Sequence, residues 1–120
     1  MLTPPVSMRI FLAAGVTDLR KSFDGLSAAV RSVLFRDVLS GEVFLFCNRR
    51  RDRVRALYFD GSGLWCATKR LERGTFSWPQ SGAGGARKVE LRAEELAALL
   101  GGLDLAETSR RRWYERRPSG

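Results

Sequence analysis

The segment Asn48-Arg49-Arg50-Arg51-Asp52-Arg53 sets four guanidinium groups beside a single carboxylate. Arginine presents a rigid, planar fork of donors that matches phosphate oxygens, and it stays charged at any physiological pH. Burying four such groups with Asp52 as the sole partner would leave uncompensated charge, so this loop must be displayed at the surface. The chemistry on offer is recognition of a phosphate backbone. The plainer reading is a solvated cluster that keeps a strand end soluble. Arg55, Lys69, Arg70 and Arg73 extend the same region, where basic residues outnumber acidic ones eight to three over residues 48–73. A second basic run, Arg110, Arg111, Arg112, Arg116 and Arg117, stands against one acid, Glu115. The formal net charge of +8 therefore comes from two segments, a segregation that suits a polyanion partner, nucleic acid before an anionic membrane surface. Within the second run, Trp113 and Tyr114 can stack on bases, anchor a protein partner, or dock on their own domain.

Enzymatic constellations are thin. The chain has no histidine, the commonest general base and metal ligand. Its two cysteines, Cys47 and Cys66, lack metal-ligand spacing, and no Walker-type glycine-lysine-serine/threonine sequence occurs. Asp18, Asp24, Asp60 and Glu72 are the residues from which a two-metal carboxylate site would have to be built. Their contexts instead suggest a cap, a helix surface, a hairpin turn and an exposed ion pair. We therefore expect no enzyme, no cofactor and no metal. No stretch approaches the apolar length of a membrane span, and the first residues lack the pattern of a signal peptide. A cytoplasmic location, no membrane association and free thiols are the matching expectations.

The elements that must position these arginines follow from hydrophobic pattern and turn chemistry. At 120 residues, 44% of them hydrophobic and 28% charged, the chain makes a single soluble domain. From residue 43 to 79, short apolar, β-branched and aromatic runs are cut by polar turns, the signature of antiparallel strands. The pattern predicts a meander of strands at 43–48, 53–60, 63–69 and 74–78. Asp60-Gly61-Ser62-Gly63 is a tight hairpin signal, since glycine supplies positive φ without strain. Pairing Asp60 with Gly63 and Asn48 with Arg53 sets Phe59 opposite Leu64, Tyr58 opposite Trp65, Leu57 opposite Cys66, Phe44 opposite Leu57 and Cys47 opposite Val54. Alternation then sends Val43, Leu45, Cys47, Val54, Ala56, Tyr58, Trp65 and Ala67 to one face. Phe44, Phe46, Leu57, Phe59, Leu64 and Cys66 go to the other, and both faces need cover.

Before the meander, residues 1–7 form a loose lead-in and 8–14 a first strand. Thr17 or Asp18 can cap a helix over 18–34, with Leu19, Phe23, Leu26, Val30 and Val33 as its buried stripe. Gly25 within that helix either admits a neighbouring backbone or is a surface glycine. After the meander, the glycine-rich stretch 79–86 carries no packing signal, and 87–91 can be a short strand. Leu96, Leu99, Leu100 and Leu103 mark a second helix, with Glu94 and Glu95 in its first turn. Residues 106–120 form a basic tail, disordered when unbound. The sum is an α+β domain over residues 8–105: a small antiparallel sheet packed against one main helix, with a short C-terminal helix.

The segments AAGVTDLRKSFDGL (13–26), FLFCNRRRDRVRALYFDGSGL (44–64) and KRLERGTFSWP (69–79) together resemble the TnpB, or Orf2-like, accessory family of bacterial insertion sequences of the sixty-six type. The resemblance runs from about residue 9 to 105. It departs from the family pattern at Ser22, where that pattern has glycine, and at Arg92-Ala93, where it has serine-proline. Membership would imply a protein encoded beside a separate, larger transposase and needed for transposition, with no catalytic residues of its own established. Asp18, Arg20, Lys21, Asp24, Asp60, Gly61, Lys69, Arg70, Leu71 and Glu72 carry over as pattern positions. Two functional expectations follow. In the first, the chain binds DNA at transposon ends through Arg49, Arg50, Arg51, Arg53, Arg55, Lys69, Arg70, Arg73 and the tail arginines. In the second, it is a protein-interaction module for the transposase, with Trp78, Trp113 and Tyr114 or an exposed sheet face as anchors. Homo-oligomerisation is compatible with either.

Overall fold

Every residue of the strand Val43–Cys47 is apolar, and side chains on a strand alternate between faces, so this strand must be covered on both sides. The computed structural model describes residues 8–101 and shows what covers it. In chain order the elements are β1 (Ile10–Ala13), α1 (Phe23–Ser32), β2 (Val43–Cys47), β3 (Arg53–Phe59), β4 (Leu64–Arg70), β5 (Lys88–Leu91) and α2 (Ala93–Leu100). The five strands form one sheet in the order β4-β3-β2-β1-β5. Against one face pack Leu26, Val30 and Leu34 from α1 and its C-terminal end, meeting Phe11, Phe44, Phe46 and Leu57. Against the other pack Leu96 and Leu99 of α2 together with Phe76 and Trp78, meeting Ile10, Leu12, Val43, Leu45 and Val54. The pairings at Cys47–Val54, Phe44–Leu57, Phe59–Leu64, Tyr58–Trp65 and Leu57–Cys66 are those that the two turns imply.

The sheet is mixed rather than antiparallel. β1 pairs in parallel with β2, Ile10 beside Val43 and Leu12 beside Leu45, and antiparallel with β5. Joining parallel neighbours needs a crossover rather than a hairpin, and α1 provides it. The meander has three strands. Residues 74–78 do not add a fourth: Phe76 N donates to Arg51 O at 2.6 Å, and the segment crosses the sheet face to bury Phe76 and Trp78. Trp78 is only 3% exposed, with its Nε1 donating to Ala13 O at 2.8 Å. It is a core residue and no surface anchor. The glycine-rich stretch is largely exposed and is anchored at a few points. Gly15 N donates to Pro79 O, and a Cβ on Gly82 would sit 3.1 Å from both Ala86 O and Val89 Cγ2.

α1 begins later than its apolar spacing suggests. Ser22 is its N-cap, the Oγ accepting from Gly25 N, so Leu19 is buried ahead of the helix and Phe23 is exposed. Asp18 closes a separate turn, with Oδ1 accepting from Arg20 N at 3.0 Å. The close neighbour of Gly25 is the Lys21 side chain, not another element's backbone. At the other end Phe35 N donates to Arg31 O, the 5→1 bond of an αL cap, and Arg36 N donates to Val30 O. The left-handed position of that cap, usually glycine, is held by Phe35 at φ 55°. α2 starts at Arg92, whose backbone N–H is capped by Glu95 Oε1 at 2.9 Å, one half of a capping box. The thiols are free, on opposite faces, and burial pushes Cys47 up to about 12. Among the described residues no helix is long and apolar enough to cross a membrane. The lead-in 1–7, Leu103 and the tail 106–120 lie outside the described residues.

The two tryptophans should separate in a urea titration. Trp78→Ala is expected to lower unfolding free energy by about 3–5 kcal/mol, the usual cost of emptying an aromatic core site. Trp65→Ala, at a residue 48% exposed, should cost much less, and equal losses would overturn the assignment of Trp78 to the core.

Candidate nucleic-acid interface

The arginine loop is held rather than loose. Asn48 Oδ1 accepts from Asp52 N and Arg53 N, and its Nδ2 donates to Asp52 Oδ1 at 2.7 Å. That amide contact first, and the charges of Arg50 and Arg53 after it, hold the Asp52 carboxyl below its ordinary range. Arg51 takes a left-handed conformation at φ 59°. Its carbonyl accepts from Phe76 N, and that of Asp52 from Leu71 N. The loop backbone is thereby tied both to itself and to residues 71–76, which frees the side chains for display.

Four of the loop-region arginines meet at one place. Arg49, Arg50, Arg53 and Arg55 line a hollow of about 540 Å³ whose opposite wall is Val16, Thr17, Asp18, Leu19 and Arg20. The two walls are joined where Thr17 N donates to Cys47 O at 2.8 Å. Arg55 also stitches them together, Nη1 donating to Leu19 O at 2.6 Å and Nε to Thr68 Oγ1 at 3.1 Å. Arg49, Arg50 and Arg53 are different: their side chains make no hydrogen bond or ion pair with any described residue. The one acid in the hollow, Asp18, is occupied. Both its oxygens accept from the Arg20 guanidinium at 3.0 Å, and these bonds, with the Arg20 amide, hold its carboxyl down at about 2. The arrangement leaves an open cationic surface fit for an anion.

The remaining basic positions are dispersed. Arg70 stands directly across from Arg53 on the same sheet face, with Glu72 at 3.5 Å as its ion-pair partner. Arg51 and Arg73 are exposed but do not line the hollow. Lys69 belongs to the other face, where its Nζ donates to Leu100 O and so caps the last turn of α2. Arg110, Arg111, Arg112, Trp113, Tyr114, Arg116 and Arg117 lie outside the described residues. The carboxylates are also apart: Asp24 sits in the first turn of α1, whereas Asp60 closes the hairpin, accepting from Ser62 N, Gly63 N and Trp65 Nε1. Sequence reasoning left Val16, Thr17 and Asn48 out of the site. Asn48 carried a signal, since asparagine before a turn commonly bonds backbone a few residues on, but nothing local announces that 16–20 packs beside 48–55.

The fold and hollow define a small α+β domain with a cationic groove at one end of a mixed sheet. The chain belongs to the family described as IS66 Orf2 like protein, whose pattern matches residues 8–110. Among its relatives is the uncharacterized protein y4jC of Sinorhizobium fredii, 37% identical over 111 residues, covering 92% of each chain. Another is the uncharacterized protein y4hO of the same organism, 38% identical over 104 residues, covering 87% of this chain and 88% of the relative. No solved structure matches at a comparable level of significance.

Arg55 should behave as a structural residue and its neighbours should not. Arg55→Ala leaves the Leu19 carbonyl without its charged donor and is expected to cost about 1–3 kcal/mol. Arg49→Ala, Arg50→Ala and Arg53→Ala should each stay within about 0.5 kcal/mol of the parent, as exposed substitutions do. Urea unfolding of the four single variants measures this, and a large loss at Arg49, Arg50 or Arg53 would show that they serve the fold.

Proposed function

We propose that the chain is a non-catalytic accessory protein for transposition of a bacterial insertion sequence, binding DNA through the arginines of the hollow and of the basic tail. Family membership supports the accessory role. The observation that carries DNA binding is the convergence of Arg49, Arg50 and Arg53, all without a side-chain hydrogen bond or ion pair to any described residue, on a hollow whose single acid is already taken by Arg20. Beside the hollow, Arg53 stands directly opposite Arg70, a like-charge pairing that is destabilising and in which Arg70 alone has an acidic ion-pair partner, Glu72. Contacts of this kind fall on phosphates, so they position the nucleic acid and carry no base information.

The test is fluorescence anisotropy on a duplex from the element's end and a scrambled duplex, over a salt series. The expected result is binding that weakens steeply with salt. Replacing Arg49, Arg50 and Arg53 together by alanine should reduce the log–log salt slope by about three, one for each phosphate no longer neutralised, on both sequences alike. Unchanged affinity and slope in the triple variant would sink the role of the loop.

A second reading, an interaction module for the transposase, draws on Phe35. Its side chain is 78% exposed, with Leu39 also exposed nearby in sequence. Its backbone occupies the helix-ending position that costs any residue but glycine about 1–2 kcal/mol. A side chain with so little packing does nothing for the fold to offset that cost. Phe35→Gly should therefore raise stability by up to about 1 kcal/mol. On this reading it also abolishes a nuclease-resistant pull-down of the transposase. A pull-down that survives the substitution would remove Phe35 from the interface.

A further inference from the structure

The hollow described above does not end at Val16. A second one, of about 250 Å³, adjoins it along Val16, Thr17 and Asp18 and continues along α1 from Lys21 and Gly25 to Ser32 and Val33, with Arg87 also lining it. We propose that the two form one track for a single unpaired strand of nucleic acid, a reading that rests on the nucleic-acid binding proposed above and specifies its form.

Three features carry this. First, the charges run along the track at both ends: Arg49, Arg50 and Arg53 at one, Lys21 and Arg87 at the other. Lys21 makes no side-chain bond to any described residue. Arg87 is anchored by Nε to Ala14 O and Nη2 to Val16 O, leaving its remaining N–H groups available. Second, the surface between these banks is mixed, with apolar side chains beside Thr17 and the Asp18 carboxylate that Arg20 holds. Val16 is 43% exposed, and Leu19, Ala28 and Ala29 lie along the walls. A duplex would meet the cations with its outer phosphates and leave Val16, Ala28 and Ala29 without contacts. An unpaired strand brings phosphates to the banks and base faces to these side chains, and guanidinium planes can also stack on the bases. The first hollow, at about 540 Å³, is of the size that encloses small ligands, about 300–1,000 Å³, the second is smaller at about 250 Å³, and neither admits a double helix. Third, Thr17 lines both hollows, is 8% exposed, and its hydroxyl bonds to no described residue. A nearly buried hydroxyl without a partner costs about 1–3 kcal/mol, and a base edge or phosphate oxygen in the track would satisfy it.

The test uses the full chain and labelled oligonucleotides of about 12 nucleotides, within the site sizes of single-strand binders. The same sequence is presented as DNA strand, RNA strand and blunt duplex. The strand is expected to bind at least about tenfold tighter than the duplex, with a salt slope near −3 for about four neutralised phosphates. Lys21→Ala and Thr17→Val should each weaken strand binding by about three- to tenfold, with little change on the duplex. Arg31→Ala, an exposed charge in the last turn of α1 that lines neither hollow, should change neither. Urea unfolding confirms that each variant is folded. The RNA arm decides which sugar the strand carries, and preference for either strand over duplex supports the track. Duplex binding equal to or tighter than strand binding, still lost on replacing Arg49, Arg50 and Arg53, would overturn the track while leaving DNA binding intact. The track also falls if neither Lys21→Ala nor Thr17→Val has an effect. No binding to any probe would overturn both.

Discussion

The two-sided burial of β2 is the constraint from which the rest of this structure follows. Five consecutive apolar side chains, all essentially inaccessible to water, cannot sit in a sheet with one wet face. One face is closed by a helix that the crossover between two parallel strands must contain anyway. The other would be left open by that topology, and a second helix together with the crossing segment at Phe76 and Trp78 closes it. Each covering piece is held by polar contacts that pass through the sheet's ends. Trp78 bonds to the Ala13 carbonyl and Lys69 to that of Leu100. Burial of this kind is worth about 25 cal/mol per Å² of apolar surface, so covering β2 on both sides is the main reward available to so small a chain.

Much of this was legible in the linear pattern, and the parts that were not share a cause. Strand register in the three-strand meander followed from two turns, because a hairpin fixes the pairing of everything that flanks it. The partition of side chains between faces followed from alternation, and the cover on both faces from the absence of a polar face. What failed was long-range. Parallel pairing of β1 with β2 links residues more than thirty apart in sequence and leaves no local mark. Residues 74–78 have the composition of a strand, yet their aromatics fill the gap that α2 leaves over the sheet, and tertiary packing overrode propensity. The same packing explains Trp78: an exposed anchor and a core tryptophan look alike in a sequence. At the start of α1, the apolar spacing from Leu19 misled because Leu19 is buried from a turn outside the helix.

The site was legible by charge and not by shape. Counting arginines found Arg49, Arg50, Arg53 and Arg55, which do converge, but could not separate them from Lys69, which faces the opposite side of the sheet. Nor could it distinguish an arginine that braces the fold from one that does not. Arg55 spends two donors on Leu19 and Thr68, while Arg49, Arg50 and Arg53 spend none on described residues. That distinction is geometric: Arg55 lies inside β3 against the neighbouring wall, whereas Arg49 and Arg50 are in the loop and Arg53 is the first residue of the strand.

The parallel pairing is also what builds the hollow. Parallel strands end on the same side of a sheet, and the segments that leave them there stand next to each other, which is why crevices at the carboxyl ends of parallel strands recur as binding sites. Here the segments leaving β1 and β2 are 14–20 and 48–53, and the Thr17–Cys47 backbone bond joins them directly. Were β1 antiparallel to β2, the Asp18 turn would lie at the opposite end of the sheet and the arginines would face open water. A loop in that position could still attract a polyanion, but only as a flexible charge cluster whose backbone and side chains must both be ordered on binding. Mounted between two strand ends, with its backbone tied by Asn48, Leu71 and Phe76, the loop has already met the backbone share of that ordering cost on folding. The single parallel strand pair in an otherwise antiparallel sheet thus converts a run of arginines into a preorganised surface.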